Sequence, residues 1–447
     1  MKQTFSSKVG LIAATVGSAV GLGNIWRFPA ETQANGGAAF LIIYIACVFL
    51  LGIPVMLAEF TIGRAGRSDA VGSLKNLGAS PAWLTPGFMS ILASYMITCF
   101  YMVVTGWTFE YLIQSVTGAL YEGIDGNTNA VFAAKMSDYI STTWRPLWPT
   151  FIMIVLNICI LLGGVQKGIE RLSNILMPLL FVLLVIFCVQ SLMLPKAAEG
   201  VTFFLRPDWS VLTPQTFLNA LGQAFFSLSL GMGILVTYSS YFPKTTNLTR
   251  TAVTVSLLDM LVAIMMGLII FPAVTTFGLQ GEGIEGATLV FVTLPEVFMQ
   301  MPGTQFWSII FFLLLTVAAL TSTISISEVS VAFISDRFGF SRVKAVLTVM
   351  LPLFVFATLC SLSQGVLSGI TIFGYNIFDF LDNTATNILL PLVSIGLCVW
   401  LGWFSKGHLI AAEVGGGRRG ALVACVRFII RYVAPVLIGI VFVFGLL

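Results

Sequence analysis

The sequence predicts an all-α polytopic membrane protein: an inverted five-plus-five helix repeat with broken spans 1 and 6, plus an eleventh span. Three observations predict it. Of 447 residues, 57% are hydrophobic and only 9% charged, with a mean hydropathy of +0.98, which leaves too little polar surface for a water-soluble globule. Apolar stretches recur at the length that crosses a bilayer. Two of them, the first and the sixth, are interrupted by glycines at corresponding places in two five-span halves, which is the sequence pointer to an inverted-repeat transporter with a site near the membrane midplane.

Stretches of about 20 apolar residues fall at approximately 9–35, 38–62, 85–117, 148–164, 171–193, 215–241, 251–278, 305–335, 343–361, 368–402 and 421–447, taken here as spans 1 to 11. They group as 1–200 for the first repeat, 201–402 for the second, and 403–447 for a loop and span 11. Span 1 carries Gly21-Leu22-Gly23-Asn24-Ile25-Trp26-Arg27-Phe28-Pro29 where a membrane helix should be uniform. Freed carbonyls at bilayer depth survive only when buried in protein or turned toward a water-filled cavity. Arg27 adds an ionisable group that costs about 2.5–3.5 kcal/mol within a span and calls for a partner. Span 6 is interrupted at Ser227-Leu228-Ser229-Leu230-Gly231-Met232-Gly233. Singly, such glycines also serve close helix packing; the corresponding pair favours transport. In such a site, half-helix N-termini face an anionic group and unwound carbonyls attract cations. Between the spans, 118–147 reads as the largest outer loop and the acidic segment 279–304 as an outer lid. In span 5, Gly168 and Pro178 form a pair that weakens a helix locally.

Basic residues set the orientation, because Lys and Arg accumulate on the cytoplasmic side. With the N-terminus inside, cytoplasmic segments hold 15 of the 22 and outer loops 4 (Lys135, Arg145, Lys196 and Arg206), the rest lying within spans. This predicts a multi-pass protein of the inner (plasma) membrane with a cytoplasmic N-terminus and an outside C-terminus. The lipid bilayer is the partner this composition implies, and the net charge of +3 gives no reason to propose nucleic acid. The first apolar run is far longer than a signal h-region, so no cleavable signal is expected. The seven cysteines fall in or beside apolar spans without metal-ligand spacing and read as packing residues, not a disulfide framework. An intramembrane protease is excluded: His408 is the one histidine, and neither HExxH nor GxSxG occurs. No enzyme activity is expected.

Gly21 to Pro29, Gly52-x-Pro54 and Glu59 in span 2, the run Gly222 to Gly233, and Leu320-Thr321-Ser322 in span 8 resemble the neurotransmitter:sodium symporter family over essentially the whole chain. The length resembles the eleven-span bacterial amino-acid branch. The resemblance implies two sodium sites and no organic cofactor. One site would use the carbonyls of Gly17, Val20 and Ala318 with the hydroxyls of Thr321 and Ser322. The other would use the Ala19 carbonyl, Asn24, Ser227 and Asp259, completed by the substrate carboxylate. Asp259 also stands out physically, as the one charge in span 7, costly there unless a cation pairs with it. Animal relatives carry Asn at that position and bind chloride nearby. Here Tyr44, Gln223 and Ser227 match that neighbourhood, but Ala263 replaces a chloride-binding Ser, so the resemblance implies chloride independence with Asp259 as the fixed negative charge.

Substrate class follows from Gly21, which stands where amine transporters of the family have Asp: a zwitterion bringing its own carboxylate is expected. The resemblance assigns its carboxylate to the Leu22 and Gly23 amides and the Tyr101 hydroxyl, and its amine to carbonyls around Ala19, Phe226 and Ser229. Ser18, Ile97, Phe226, Met232, Ser322 and Ile326 would surround the side chain, and the flexible Met232 thioether suits varied apolar groups. The implied function is sodium-coupled symport of hydrophobic or aromatic L-amino acids, with a monoamine or osmolyte as the alternative. Two gates are implied. Arg27 would pair with Asp382, or with Asp379, above a lid of Phe226 and Tyr101. On the inside, Lys2 and Phe5 would close against Asp336 and Tyr241, although Lys lacks the fork of the family's usual Arg and Phe the N–H of its usual Trp.

Overall fold

The computed structural model describes residues 4–124, 128–279, 286–405, 407–415 and 420–445, and they are almost entirely helical. Among the described residues, eight helices are long and apolar enough to cross a membrane, and the bent pair Lys8–Ala19 and Gly23–Ala34 makes a ninth. Two further segments stand where spans 4 and 6 are expected. Span 4, Leu147–Leu162, is a shorter apolar helix, and span 6 is divided into Pro214–Ser227 and Ile234–Ser240.

The others are Ala38–Gly66, Pro81–Thr117, Val165–Leu192, Leu248–Phe277, Thr304–Phe338, Arg342–Leu362, Ile377–Phe404 and Ala421–Phe444. Several differ from the sequence expectation. Span 5 starts six residues earlier, because Gly164 at φ 71 ends the turn after span 4 and a wide π turn begins at Val165. Span 10 starts later: 371–376 forms a β-hairpin, Thr371–Ile372 paired with Tyr375–Asn376, and the Asn376 side chain then caps the helix by accepting the Asp379 amide. The outer loop after span 3 contains its own helix, Thr128–Ser141. The expected lid holds a short helical segment, Gly286–Met299.

Burial sorts the spans into interior and periphery. In the most apolar windows of spans 8 and 3, 78% and 72% of residues are buried, against 33% for span 5 and 22% for span 11. Spans 8 and 3 therefore form the scaffold against which the broken spans lie, and spans 5 and 11 face lipid. All seven cysteines are free.

Both breaks have local causes. In span 1 the last regular bond runs from the Val20 amide to the Val16 carbonyl, and Val20 itself is extended. The Asn24 side chain then accepts the Gly21 amide, so a polar side chain substitutes for the missing ladder partner, and the halves meet at 55°. In span 6 the chain passes through positive φ at Ser229, Gly231 and Gly233. Gly231 is required twice: its φ is 78, and a Cβ there would meet the Leu390 carbonyl and Ser394 of span 10. Ser229 adopts φ 54 without being glycine, an arrangement that costs about 1–2 kcal/mol. It is offset by the Ser229 hydroxyl donating to the Ser18 carbonyl at 2.8 Å, a bond that ties one break directly to the other.

Candidate functional site

The two breaks face each other between spans 3 and 8. The Asn24 amide donates to Asp259 Oδ1 at 2.8 Å and to Ser227 Oγ at 3.0 Å, and Ser227 donates to the other Asp259 oxygen. The Tyr44 hydroxyl lies 3.2 Å from Ser227 and 3.5 Å from Asp259. Asp259 is fully buried and, among the described residues, none of its ion pairs is with Lys or Arg. A buried carboxylate surrounded only by neutral donors lacks a counter-charge, and hard oxygens beside it suit a small hard cation. Ala19, the remaining residue expected in this group, is buried at the end of the first half of span 1.

A second oxygen cluster lies where span 1 meets span 8. The Ser322 hydroxyl donates to the Val20 carbonyl at 3.2 Å. Thr321 Oγ1 donates back to the Ala318 carbonyl at 2.9 Å, the ordinary habit of a Thr in a helix. Gly17 closes the group, since a Cβ there would stand 3.4 Å from the Thr321 side chain. No group of three or more His, Cys, Asp or Glu that would hold a metal occurs among the described residues; the oxygens gathered here are carbonyls and hydroxyls.

Above these clusters the Leu22 amide donates to the Tyr101 hydroxyl at 3.2 Å, and the Gly23 Cα lies so close to the Phe226 ring that a Cβ would not fit. The Phe226 carbonyl already accepts the Ser229 amide. Ser18, Ile97, Met232, Ser322 and Ile326 are all buried, and the Met232 carbonyl accepts the Ser94 hydroxyl. A cavity of about 850 Å³ descends to this level, with Leu22, Gly23, Tyr101 and Phe226 at its floor and Arg27, Asp379 and Asp382 on its walls. The face onto which it opens is termed distal, and the face carrying residues 4–7 proximal.

The distal pairing differs from the sequence expectation. Arg27 is not paired with Asp382 or Asp379: its Nε lies 3.9 Å from Glu31, one turn along the same helix, and its guanidinium stands 4.7 Å from the centre of the Phe226 ring. The cavity holds span 10 away from span 1, so the nearer carboxylate and the aromatic face take the cation. Asp379 is instead bonded to Asn376 at 2.7 Å.

The proximal face is closed. Phe5 is buried, its amide donates to the Tyr241 carbonyl at 3.1 Å, and its ring packs edge-on against Tyr238 and Tyr241. Lys2 lies outside the described residues. Asp336 accepts the Asp69 amide at 2.9 Å and the Ser68 hydroxyl, pinning the loop after span 2. Burial chiefly pushes the Asp69 carboxyl above its usual range, Asp336 adding to this and the Gly72 amide opposing it. The Tyr241 hydroxyl donates to Glu328 at 2.8 Å, and Arg342 grips the same carboxylate with two bonds of 2.8 and 2.6 Å.

Sequence reasoning missed Glu328 and Arg342, and gave Glu59 no role although it accepts the Gly231 amide at 2.7 Å within the span 6 break. The signal was available, since Glu59 and Glu328 are carboxylates in otherwise apolar spans.

Comparison with known proteins agrees with this architecture. The family described as Sodium:neurotransmitter symporter family matches residues 2–127 and 128–447. The chain is 38% identical over 440 residues to the sodium-dependent transporter YhdH of Bacillus subtilis (strain 168), covering 98% of this chain and 96% of that protein. It is 34% identical over 454 residues to a sodium-dependent transporter of Haemophilus influenzae, covering 100% and 98%. The crystal structure of MhsT in complex with L-phenylalanine is similar with a TM-score of 0.90 at 41% identity, over 99% of both chains. With broken first and sixth spans around buried oxygen clusters, and matched along its whole length, the chain belongs to the sodium:neurotransmitter symporter family, whose members are transporters.

Proposed function

We propose that this sodium-dependent transporter is a symporter of hydrophobic or aromatic L-amino acids, independent of chloride, working by alternating access. Two five-span halves, 1–200 and 201–402, would provide the broken helices and the scaffold, with 403–447 peripheral. The proximal face would be cytoplasmic in the plasma membrane. Two sodium ions would enter from the distal cavity. One would rest on Gly17, Val20, Ala318, Thr321 and Ser322; the other on Ala19, Asn24, Ser227 and Asp259, completed by the amino-acid carboxylate. That shared ligand makes ion and substrate bind together. Leu22, Gly23 and Tyr101 would take the carboxylate, carbonyls near Ala19, Phe226 and Ser229 the amine, and Ser18, Ile97, Met232, Ser322 and Ile326 the side chain. Arg27 would then swing from Glu31 toward Asp382 as Phe226 closes.

The observation carrying this reading is the fully buried Asp259, held by Asn24, Ser227 and Tyr44 with no basic partner among the described residues. A permanent negative charge at that place binds a cation without a chloride. The likeness to MhsT, solved with L-phenylalanine, supports a hydrophobic amino acid. The test is binding of radiolabelled Trp, Phe, Leu and a monoamine to purified protein, with sodium exchanged for potassium and chloride for gluconate. Saturable amino-acid binding that needs sodium and ignores chloride is expected. Preference for the amine, or a chloride requirement, would overturn the reading.

A further inference from the structure

Span 11 carries Arg427 and Arg431 one turn apart, in a helix that faces lipid, with only 22% of its most apolar window buried. Among the described residues neither guanidinium pairs with a carboxylate, and Arg431 Nε is buried without a hydrogen-bond partner. An ionisable group within a span calls for a partner of opposite charge. Here the surroundings are aromatic: the Arg431 guanidinium stands 3.9 Å from the centre of the Trp403 ring and 5.4 Å from that of Tyr432. Such rings attract the cation but offer no oxygen to its N–H donors.

The end of span 10 and the first half of span 11 build this place together. A Cβ on Gly402 would stand 3.0 Å from the Arg431 Cα, so the two backbones approach closely there, and the Trp403 indole donates to the Arg431 carbonyl at 2.9 Å. Tyr432 packs edge-on against Trp403 with ring centres 5.2 Å apart, which fixes the wall on which Arg431 lies. One turn nearer the start of the helix, Arg427 reaches the loop after span 10, where a Cβ on Gly407 would be 3.4 Å from its Nη2. Trp403, Phe428 and Tyr432 are 49%, 58% and 44% exposed, so the wall opens toward the lipid side. From 403 to 431 the chain holds five basic residues and one acid, Glu413, and Arg64 at the proximal end already takes that acid.

We propose that Arg427 and Arg431 bind the phosphate of an anionic glycerophospholipid in the proximal leaflet, with its acyl chains along Trp403, Phe428 and Tyr432. The planar fork of arginine matches phosphate oxygens, long basic side chains reach toward the nearer interface, and basic pockets between spans hold such headgroups. Net charge selects the class. An anionic lipid compensates two guanidiniums that lack a carboxylate, whereas a zwitterionic headgroup brings its own ammonium. The site lies apart from the distal cavity and both oxygen clusters, so it stands independently of the transport reading.

Native mass spectrometry of the purified full-length protein tests this, with dioleoylphosphatidylglycerol, dioleoylphosphatidylcholine and inorganic phosphate titrated separately. Phosphatidylglycerol is expected to bind at least about tenfold more tightly than phosphatidylcholine, the change for one charge-assisted hydrogen bond. Arg427→Gln with Arg431→Gln should abolish that preference, and Arg431→Lys should keep part of it, retaining the charge without the fork. Arg337→Gln with Lys344→Gln, which removes basic residues around the turn between spans 8 and 9, should leave it intact. A second measurement keeps both arginines: dibrominated phosphatidylglycerol should quench tryptophan fluorescence more than dibrominated phosphatidylcholine, and Trp403→Phe should remove the difference. Equal binding of the two lipids, an unchanged preference in the double arginine variant, or quenching indifferent to Trp403 would each overturn the proposal. So would saturation by inorganic phosphate at the same concentrations, which marks a free-anion site. A dimer that forms without lipid and is lost in the double variant would instead give this face to a second copy of the chain, and the proposal would fall.

Discussion

The two ends of the molecule are closed to very different degrees. At the distal end, the cavity of about 850 Å³ reaches Tyr101 and Phe226, and Arg27 rests on a one-turn neighbour at 3.9 Å and an aromatic face. At the proximal end, Phe5 is buried among Tyr238, Tyr241 and Phe242, and three buried or half-buried carboxylates tie separate elements together. Glu328 joins spans 8, 9 and 6, Glu170 joins spans 5 and 1, and Glu413 joins Arg64 of span 2 to the segment before span 11. The difference shows which state this is, open distally and sealed proximally. It also shows that the seal is polar: Glu328 and Glu413 each pair with an arginine and Glu170 accepts from Ser6 and Ser7, and a largely buried ion pair is costly to break by losing one partner.

The largest expected effect is therefore at the proximal end. Glu328→Gln removes the buried charge that half-buried Arg342 grips with two bonds, a loss of about 3–5 kcal/mol for a broken buried pair. Labelling at Thr4→Cys is expected to rise more than a hundredfold in the absence of ligands, and equal labelling with and without the substitution would show that apolar packing of Phe5 alone makes the seal. Next comes the midplane, where the proposed sodium site lies. Asp259→Asn removes the fixed charge, and sodium-dependent amino-acid uptake without chloride is expected to fall by about a hundredfold, the scale set by an uncompensated buried charge. Full uptake in chloride-free medium would take Asp259 out of the ion site.

Much of this architecture was legible because its signals are local. The span 1 break is written in Gly21, Gly23 and Asn24, the span 6 break in Gly231 and Gly233, and the bilayer lengths in plain hydropathy. The residues expected around the two oxygen clusters do converge in space, since Ser322 meets Val20 and Asn24 meets Asp259. What stayed hidden depends on the state of the molecule or on distant pairing. Arg27 has Glu31 at 3.9 Å, one turn along its own helix, whereas Asp382 and Asp379 lie across the distal cavity, a separation that sequence spacing does not encode. The bond between Glu170 and Ser6 crosses 164 positions, and no periodicity or spacing encodes it. The hairpin at 371–376 was absorbed into an apolar run because Ile370, Ile372 and Phe373 raise the hydropathy of what is an exposed turn.

A smaller effect is expected where span 1 meets span 8. Thr321→Val with Ser322→Ala removes two hydroxyls while leaving the carbonyls of Gly17, Val20 and Ala318. Each neutral hydrogen-bonding group contributes about 0.5–1.5 kcal/mol net, so the sodium concentration for half-maximal binding should rise by about tenfold. An unchanged sodium titration would remove span 8 from the ion site and leave Asp259 as the sole anchor of coupling.

The smallest effect is expected at the distal end, and it separates the two ends most sharply. Because, among the described residues, Arg27 pairs with Glu31 and reaches Asp382 only through longer-range attraction, Asp382→Asn removes no close ion pair from this state. Labelling at Ala30→Cys should therefore stay within about fivefold of the unmodified protein, the range of a charge interaction worth about 0–1 kcal/mol. On the proposed cycle the same substitution should matter once sodium and amino acid are bound, when Arg27 would leave Glu31 for a carboxylate across the cavity. Protection of Ala30→Cys by substrate is then expected to weaken several-fold. If Asp382→Asn instead alters labelling before any ligand is added, the distal end is already held by a charge network, and the contrast between a polar seal on one face and an unpaired gate on the other does not stand.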